Sequence, residues 1–342
     1  MKRIGLISLV CLTIVPVVQA ASFDCRNASS VLEKTICADS EISSLDETLA
    51  KSYSNAINKL SPDGKVILRD GQRRWLRHVT NVCLVYKNSS GTSACTKQMY
   101  KNRIKDMETA AIQSGPFVFS RIDYFFSKRD DVFGRPFQGQ TSYPRIDSPL
   151  SETGKKWNAA MARKSKAEGD DWCDGRPGDI DIDFVIKSAT ENIISAQLSN
   201  WMYCHGAAHG YGGSDTKTFV LTPQFHLLHS GDLFASDRDW AGFLADRSFV
   251  VLDKAVDIGR SSSDPQIDRN VMRKEILAIV SHTGSWSFTK DALVITFGTD
   301  TVIGFGYAGG EHTVTIPWEE LNPYLAPNNP IFQAASSDAH VK

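Results

Sequence analysis

Apolar positions recur at helical spacing through the first third of the chain. In "EISSLDETLAKSYSNAINKL", Ile42, Leu45, Leu49, Tyr53, Ile57 and Leu60 fall in steps of three and four, which marks one helix face. "SPDG" ends that helix, because proline and glycine continue it only at a cost. "KVILRDGQRRWLRHVTNVC" reads as the next helix, with Leu68, Trp75, Leu76 and Val79 inward and Gly71 an awkward member. A last helix is expected from Cys95 through Met99, Ile104 and Met107 to Ala111. A short one precedes them all, Ser30 to Cys37, where Ser30 and Glu33 have the spacing of a capping box.

After "SGP" the period shortens to two. "FVFSRIDYFF", "DIDIDFVIKSA", "NIISAQLSNWMYC" and "DTKTFVLTPQFHLL" alternate and are rich in β-branched and aromatic residues, so they read as strands. Helices are expected in "SETGKKWNAAMARKSKAEG", "RDWAGFLADRSFVVLDKAV" and "RNVMRKEILAIVSH". Near the end, "SWSFTKDALVITFG" predicts a hairpin turning at Lys290-Asp291, followed by a strand in "HTVTIP" and a short helix after Pro317. The fold class is therefore an all-α N-terminal domain tied by disulfides, then an α+β C-terminal domain with a mainly antiparallel sheet. The expected divisions are 1–20, 21–113, 114–335 and a polar, disordered tail at 336–342.

Export is what makes the disulfides plausible. Met1-Lys2-Arg3, the apolar run "IGLISLVCLTIVPVV" and the small residues of "VQA" predict a signal peptide cut after Ala20 or one residue later. The run is shorter than the ~20 apolar residues of a membrane span. Cys11 leaves with the signal, and Cys25, Cys37, Cys83, Cys95, Cys173 and Cys204 remain. An even number in an oxidising compartment argues for three bridges and against a catalytic thiol. Cys173 and Cys204 stand alone in the second domain and should pair. The other four are expected at one pole of the helical domain, with three pairings open. Cross-links between its two halves are favoured, because the loops they close are longer.

Charge is uneven. Residues 21–113 hold 14 Lys and Arg against 10 Asp and Glu, net +4, and the signal adds Lys2 and Arg3. The chain is −1 overall, which leaves −7 for residues 114–342. An acidic second domain disfavours nucleic acid and anionic lipid and suits a basic protein partner.

The densest candidate chemistry is "YCHGAAHGYGGSD", Tyr203 to Asp215. His205 and His209 have the four-residue spacing of helical metal ligands, but Gly206 and Gly210 oppose a helix, and a third ligand would have to come from His226, His229 or Asp215. No metal and no cofactor is expected. A second reading is a structural turn, in which glycines supply positive φ and His209 satisfies buried backbone groups. The third is presentation: a Cys173–Cys204 bridge would hold His205 and Tyr211 rigidly for insertion into a cleft with two carboxylates, as in glycoside hydrolases. Tyr307, Glu311 and His312 of "FGYAGGEH" could share that surface, beside Asp215. "GDDWCDG" and "GDIDID" read as a solvated acidic face, and "WEEL" as the first turn of a helix.

"FDCRNASSVLEKTICADSEISSLDETLAKSY" and "GQRRWLRHVTNVC", with a cysteine opening the last helix, resemble the N-terminal domain of the LprI-type lysozyme inhibitors. The shared pattern runs through Cys25, Glu33, Cys37, Leu45, Asp46, Leu49, Tyr53, Gln72, Trp75, Leu76, Arg77, Cys83 and Cys95. Here His78 follows Arg77 directly, and the Cys83–Cys95 loop is longer. "GAAHG", "FTKDALVITF" and "GFGYAGGEHTVTIPWEEL" resemble the extracytoplasmic, DUF3298-like domain of RsiV-type anti-sigma factors, without their transmembrane and sigma-binding parts. Together the resemblances imply a periplasmic or secreted, non-enzymatic protein that binds and occludes a lysozyme-like peptidoglycan hydrolase. The alternatives are an immunity protein against an envelope-targeting toxin and an enzyme or accessory module acting on envelope glycan. Convergence of acid, base or metal groups in one pocket would favour the last.

Overall fold

The computed structural model of the chain describes residues 21–86, 89–128, 136–149, 151–162, 173, 177–259, 266–298, 311–327, 329 and 331. The expected signal, the C-terminal tail, Tyr307 and all of "GDDWCDG" except Cys173 lie outside the described residues.

Four helices open the chain: α1 (Val31–Ala38), α2 (Ser40–Ile57), α3 (Pro62–Cys83) and α4 (Ser89–Glu108). The Ser30–Glu33 capping box forms in both directions. Ile42, Leu49, Leu68, Trp75, Val79 and Tyr100 make their core, and Trp75 meets Tyr100 edge-on at 5.0 Å. The last helix starts six residues earlier than expected, at Ser89, and stops at Glu108. Ala111 already belongs to β1 (Ala111–Ser114), which pairs with β2 (Phe117–Lys128) through a turn in which Gly115 has φ +52°.

The bridges correct one expectation. Cys25 pairs with Cys37 and Cys83 with Cys95, each across 12 residues, so no bridge joins the halves. The two sites do approach: Asp39 accepts from Ser93 and pairs with Lys97, so the end of α1 touches the start of α4. Each cysteine nevertheless has a nearer partner along its own stretch of chain. The eight-residue α1 returns Cys37 to Cys25, and the short α3–α4 connection sets Cys83 facing Cys95.

The large sheet runs in sequence order: β1, β2, β3 (Phe137–Ile146), β4 (Gly178–Ala189), β5 (Ile193–Cys204), β6 (Tyr211–Val220) and β7 (His226–Leu227). Neighbours are antiparallel except β3 and β4, which are parallel and need a crossover. That crossover carries α5 (Glu152–Ala162), whose Trp157 and Met161 pack under the sheet. A second sheet of β8 (Trp286–Phe288), β9 (Ala292–Phe297) and β10 (His312–Pro317) turns at Lys290-Asp291 as expected. It covers a core with α6 (Ser230–Leu233), α7 (Trp240–Gly259), α8 (Arg269–Val280) and α9 (Trp318–Leu321).

The helical unit sits against one face of the large sheet. Val118 and Phe125 of β2 join the helical core, and Asp147, just past β3, accepts from the backbone and hydroxyl of Ser61, the N-cap of α3.

Candidate functional site

The histidine-glycine stretch is a turn between two strands. β5 continues to Cys204 and β6 begins at Tyr211, and Gly206 takes φ +86° between them. Cys204 is bridged to Cys173 as expected. The two histidines part company. His205 is buried, its backbone N–H donating to Pro177 and its Nε2 lying 3.4 Å from Asp179 Oδ1. Its ring meets Phe137 and Tyr203. His209 is exposed, and its Nδ1 lies 3.1 Å from the adjacent Gly210 carbonyl. His205, not His209, is therefore the histidine buried in the fold.

The remaining described candidates lie on β6 and at the start of β10. Tyr211 is exposed, with its hydroxyl 3.2 Å from Met202 Sδ. Asp215 pairs with Lys217, and Glu311 accepts from Ser214 Oγ at 2.8 Å. Half-buried His312 opens β10 opposite Phe297. His226 instead pairs with Asp232 and stacks on His229. Among the described residues no group of His, Cys, Asp and Glu is placed to hold a metal ion.

The glycines of this stretch make room for a neighbour. A Cβ on Gly210 would come within 2.8 Å of the Trp201 indole, and one on Gly212 would strike the Asn200 carbonyl. The indole thus lies down over the start of β6, stacked with Tyr203 and half exposed. Trp201 is the cross-strand partner of Asp181, so the two side chains stand next to each other on the face that meets the helices.

Between that face and the helices lies a polar cleft of about 200 Å³. Trp75 and His78 of α3, with Asn102, Arg103 and Asp106 of α4, form one wall. Gln138, Gln140, Asp179, Asp181 and Trp201 form the other. Behind it the seam is closed by buried ions. Asp123 accepts from Arg121 Nε at 2.6 Å, Arg103 Nη1 at 2.7 Å and Ser142 Oγ at 2.8 Å. Arg121 also donates to Asp183 and Ser142, and Arg103 to Gln72. Burial raises the Asp123 pKa, but the Arg121 and Arg103 guanidiniums outweigh it and hold the carboxyl well below the usual range.

The cleft walls are tuned the other way. Burial first, then Asp183 and Asp106, pushes Asp181 up to about 6. Burial likewise raises Asp106, against the pull of Arg121. Burial lowers His78 to about 4, despite a hydrogen bond to Gln138, so its ring is neutral near neutral pH. None of this was foreseen. A "GDIDID" run looks like a solvated face, and only the register β3–β4–β5 turns Asp179, Asp181 and Asp183 towards α4.

Residues 25–111 match the family described as "Lysozyme inhibitor LprI". No curated protein matches the chain. Two solved structures of the DUF3298 family are similar in fold. One, from Pseudomonas aeruginosa PAO1, shares 13% identity over 63% of this chain and 97% of its own, with a TM-score of 0.44. The other, from Bacteroides fragilis NCTC 9343, shares 15% over 66% of this chain and 100% of its own, with a TM-score of 0.42.

Most of the LprI-like pattern is architectural. Glu33 caps α1, and Asp46 holds Ser22 and the Tyr100 hydroxyl. Gln72 anchors Arg103 and Trp75 fills the core. Leu76 and Arg77 differ: both are exposed, which corrects the expectation that Leu76 points inward. They continue an outward stripe of Val66, Arg69 and Arg73 on α3, where the arginines repeat every four residues.

Proposed function

We propose that the protein is exported and binds a lysozyme-type muramidase, covering its substrate cleft. The observation that carries this reading is the match of residues 25–111 to a lysozyme-inhibitor family. The three disulfides support an oxidising compartment outside the cytosol. Among the described residues no helix is long and apolar enough to cross a membrane.

The contact surface in this reading is the outer face of α3. Glycoside hydrolases of this kind carry a pair of carboxylates in the cleft. Arg69, Arg73 and Arg77, spaced along one helix with exposed Val66 and Leu76 beside them, offer planar, bidentate donors to such groups. Only Arg73 has a neighbouring ion partner on that stripe among the described residues, and its pair with Asp70 is exposed and weak. The β5–β6 turn is a secondary contact, through His209 and Tyr211 with Asp215 and Glu311 beside them; buried His205 takes no part.

The test is a pull-down of residues 21–342 against lysozymes of different types, with a peptidoglycan-clearing assay on each pair found. At least one type should be retained and inhibited in proportion to binding. Retention without inhibition would contradict occlusion, and no retention across the panel would remove the reading.

A further inference from the structure

We propose that the cleft between the helices and the large sheet is a saccharide subsite that seats one pyranose ring on Trp201. The site is independent of the α3 stripe and of the muramidase reading.

Three observations carry it. First, Asp181 and Trp201 are directly paired across β4 and β5, which puts a carboxylate beside a half-exposed indole in a cleft of about 200 Å³. A flat apolar plate with acceptors at its edge suits a ring that has one C–H face and a rim of hydroxyls. Gly210 makes room for that plate, since a Cβ there would come within 2.8 Å of the indole. Second, among the described residues two buried atoms of the wall, His78 Nδ1 and Arg103 Nη2, meet no hydrogen-bond partner. His78 is only 6% exposed and Arg103 is 0% exposed. Buried polar atoms without partners are costly, and a ligand that supplies them relieves that cost.

Third, the mixture of groups selects among ligand classes. An anion would meet Asp106, Asp179 and Asp181, while Arg103 Nη1 is already engaged by Asp106 and Asp123. An ammonium would suit the carboxylates but cannot accept from Arg103 Nη2. A hydroxyl both donates and accepts, so a polyol answers all of these groups at once. The volume admits one ring and not a chain.

The experiment is a titration of residues 21–342, labelled with ¹⁵N at the indoles, with N-acetyl-D-glucosamine, methyl α-D-glucopyranoside and n-butylamine as separate probes. The Trp201 signal is assigned with Trp201→Phe. At least one sugar should shift it saturably at millimolar concentration. Trp201→Ala, which removes a half-exposed side chain and leaves the bridges intact, should weaken that sugar's binding at least about tenfold when followed by saturation-transfer signals from the ligand. Trp201→Phe should keep it within about threefold, because the plate remains. Asp181→Asn should weaken it by about five- to tenfold. A response to butylamine alone, no saturable response to either sugar, or sugar binding unchanged in Trp201→Ala would each overturn the proposal.

Discussion

Arg121 and Trp286 are both fully buried, and they hold together two very different regions. Trp286 meets Phe234 and Trp240 edge-on, donates its indole N–H to the Val280 carbonyl, and sits in the apolar core beneath β8–β10. Arg121 sits in the seam between helices and sheet, where Asp106, Asp123, Asp183 and Ser142 surround it. The apolar core gains from burial itself and tolerates small shifts. The seam must first overcome the desolvation of its ions, so it is stable only when every partner is present. The difference predicts which region sets the acid limit of the protein and which half of the molecule fixes the other's orientation.

The largest effect should come from removing one member of the seam. Asp123→Ala removes the buried carboxylate that Arg121 and Arg103 share and should cost about 3–5 kcal/mol in urea denaturation at neutral pH. A loss under about 1 kcal/mol would mean that water enters the seam freely. Leu293→Ala in the apolar core should cost about 2–5 kcal/mol, and its cost should be the same from about pH 4 to pH 8. The cost of Asp123→Ala should hold above pH 3.8 and shrink as pH falls below it, because the fold favours the ionised carboxyl; a cost that stayed constant below pH 3.8 would contradict the contrast between the regions.

The cleft walls offer a finer test, with opposite signs. His78 is lowered from 6.5 to about 4, so the fold favours its neutral ring. That contribution is whole above pH 6.5 and is lost as pH falls towards 4; it amounts to about 3 kcal/mol. His78→Gln should flatten this limb. Asp181 is raised from 3.8 to about 6, so the fold favours its protonated form. Stability is therefore full below pH 3.8 and declines as pH rises through 6. Because Asp181 has an open side, the effect is about 1 kcal/mol. Asp181→Asn should gain that amount at neutral pH and nothing below pH 3.8. Parallel melting curves across this range for both variants and the parent would contradict the assigned environments.

The same contrast explains what the sequence made legible. Helices α1–α3, the Lys290-Asp291 hairpin and the Cys173–Cys204 bridge follow from periodicity, turn residues and cysteine number, which are local signals. β3 was not foreseen. Its segment "FQGQTSYPRI" contains Gly139 and Pro144, which weaken any strand pattern, and it becomes a strand because β2 and β4 flank it. Gly139 is needed there, since a Cβ would strike the Phe126 ring. The cleft was invisible for a related reason. Its carboxylates alternate along β4 as a surface strand would, and the helices that flank them lie roughly 70 to 115 residues away in sequence. The pairing of the four helical-domain cysteines departs from expectation because a bridge over a longer loop would restrict the unfolded chain more, whereas formation needs two sulfurs in contact, and the short helix and short turn bring the near pairs together.

A calorimetric titration of one retained muramidase tests the outward face of α3 as the contact surface most directly. The parent chain, the Arg69→Ala/Arg73→Ala/Arg77→Ala variant and the His209→Ala/Tyr211→Ala variant would be compared at low and moderate salt. The arginine variant should lose at least about tenfold in affinity, more at low salt, with its melting temperature unchanged. The turn variant should lose only a fewfold share. Equal affinity for the parent and the arginine variant would contradict the account.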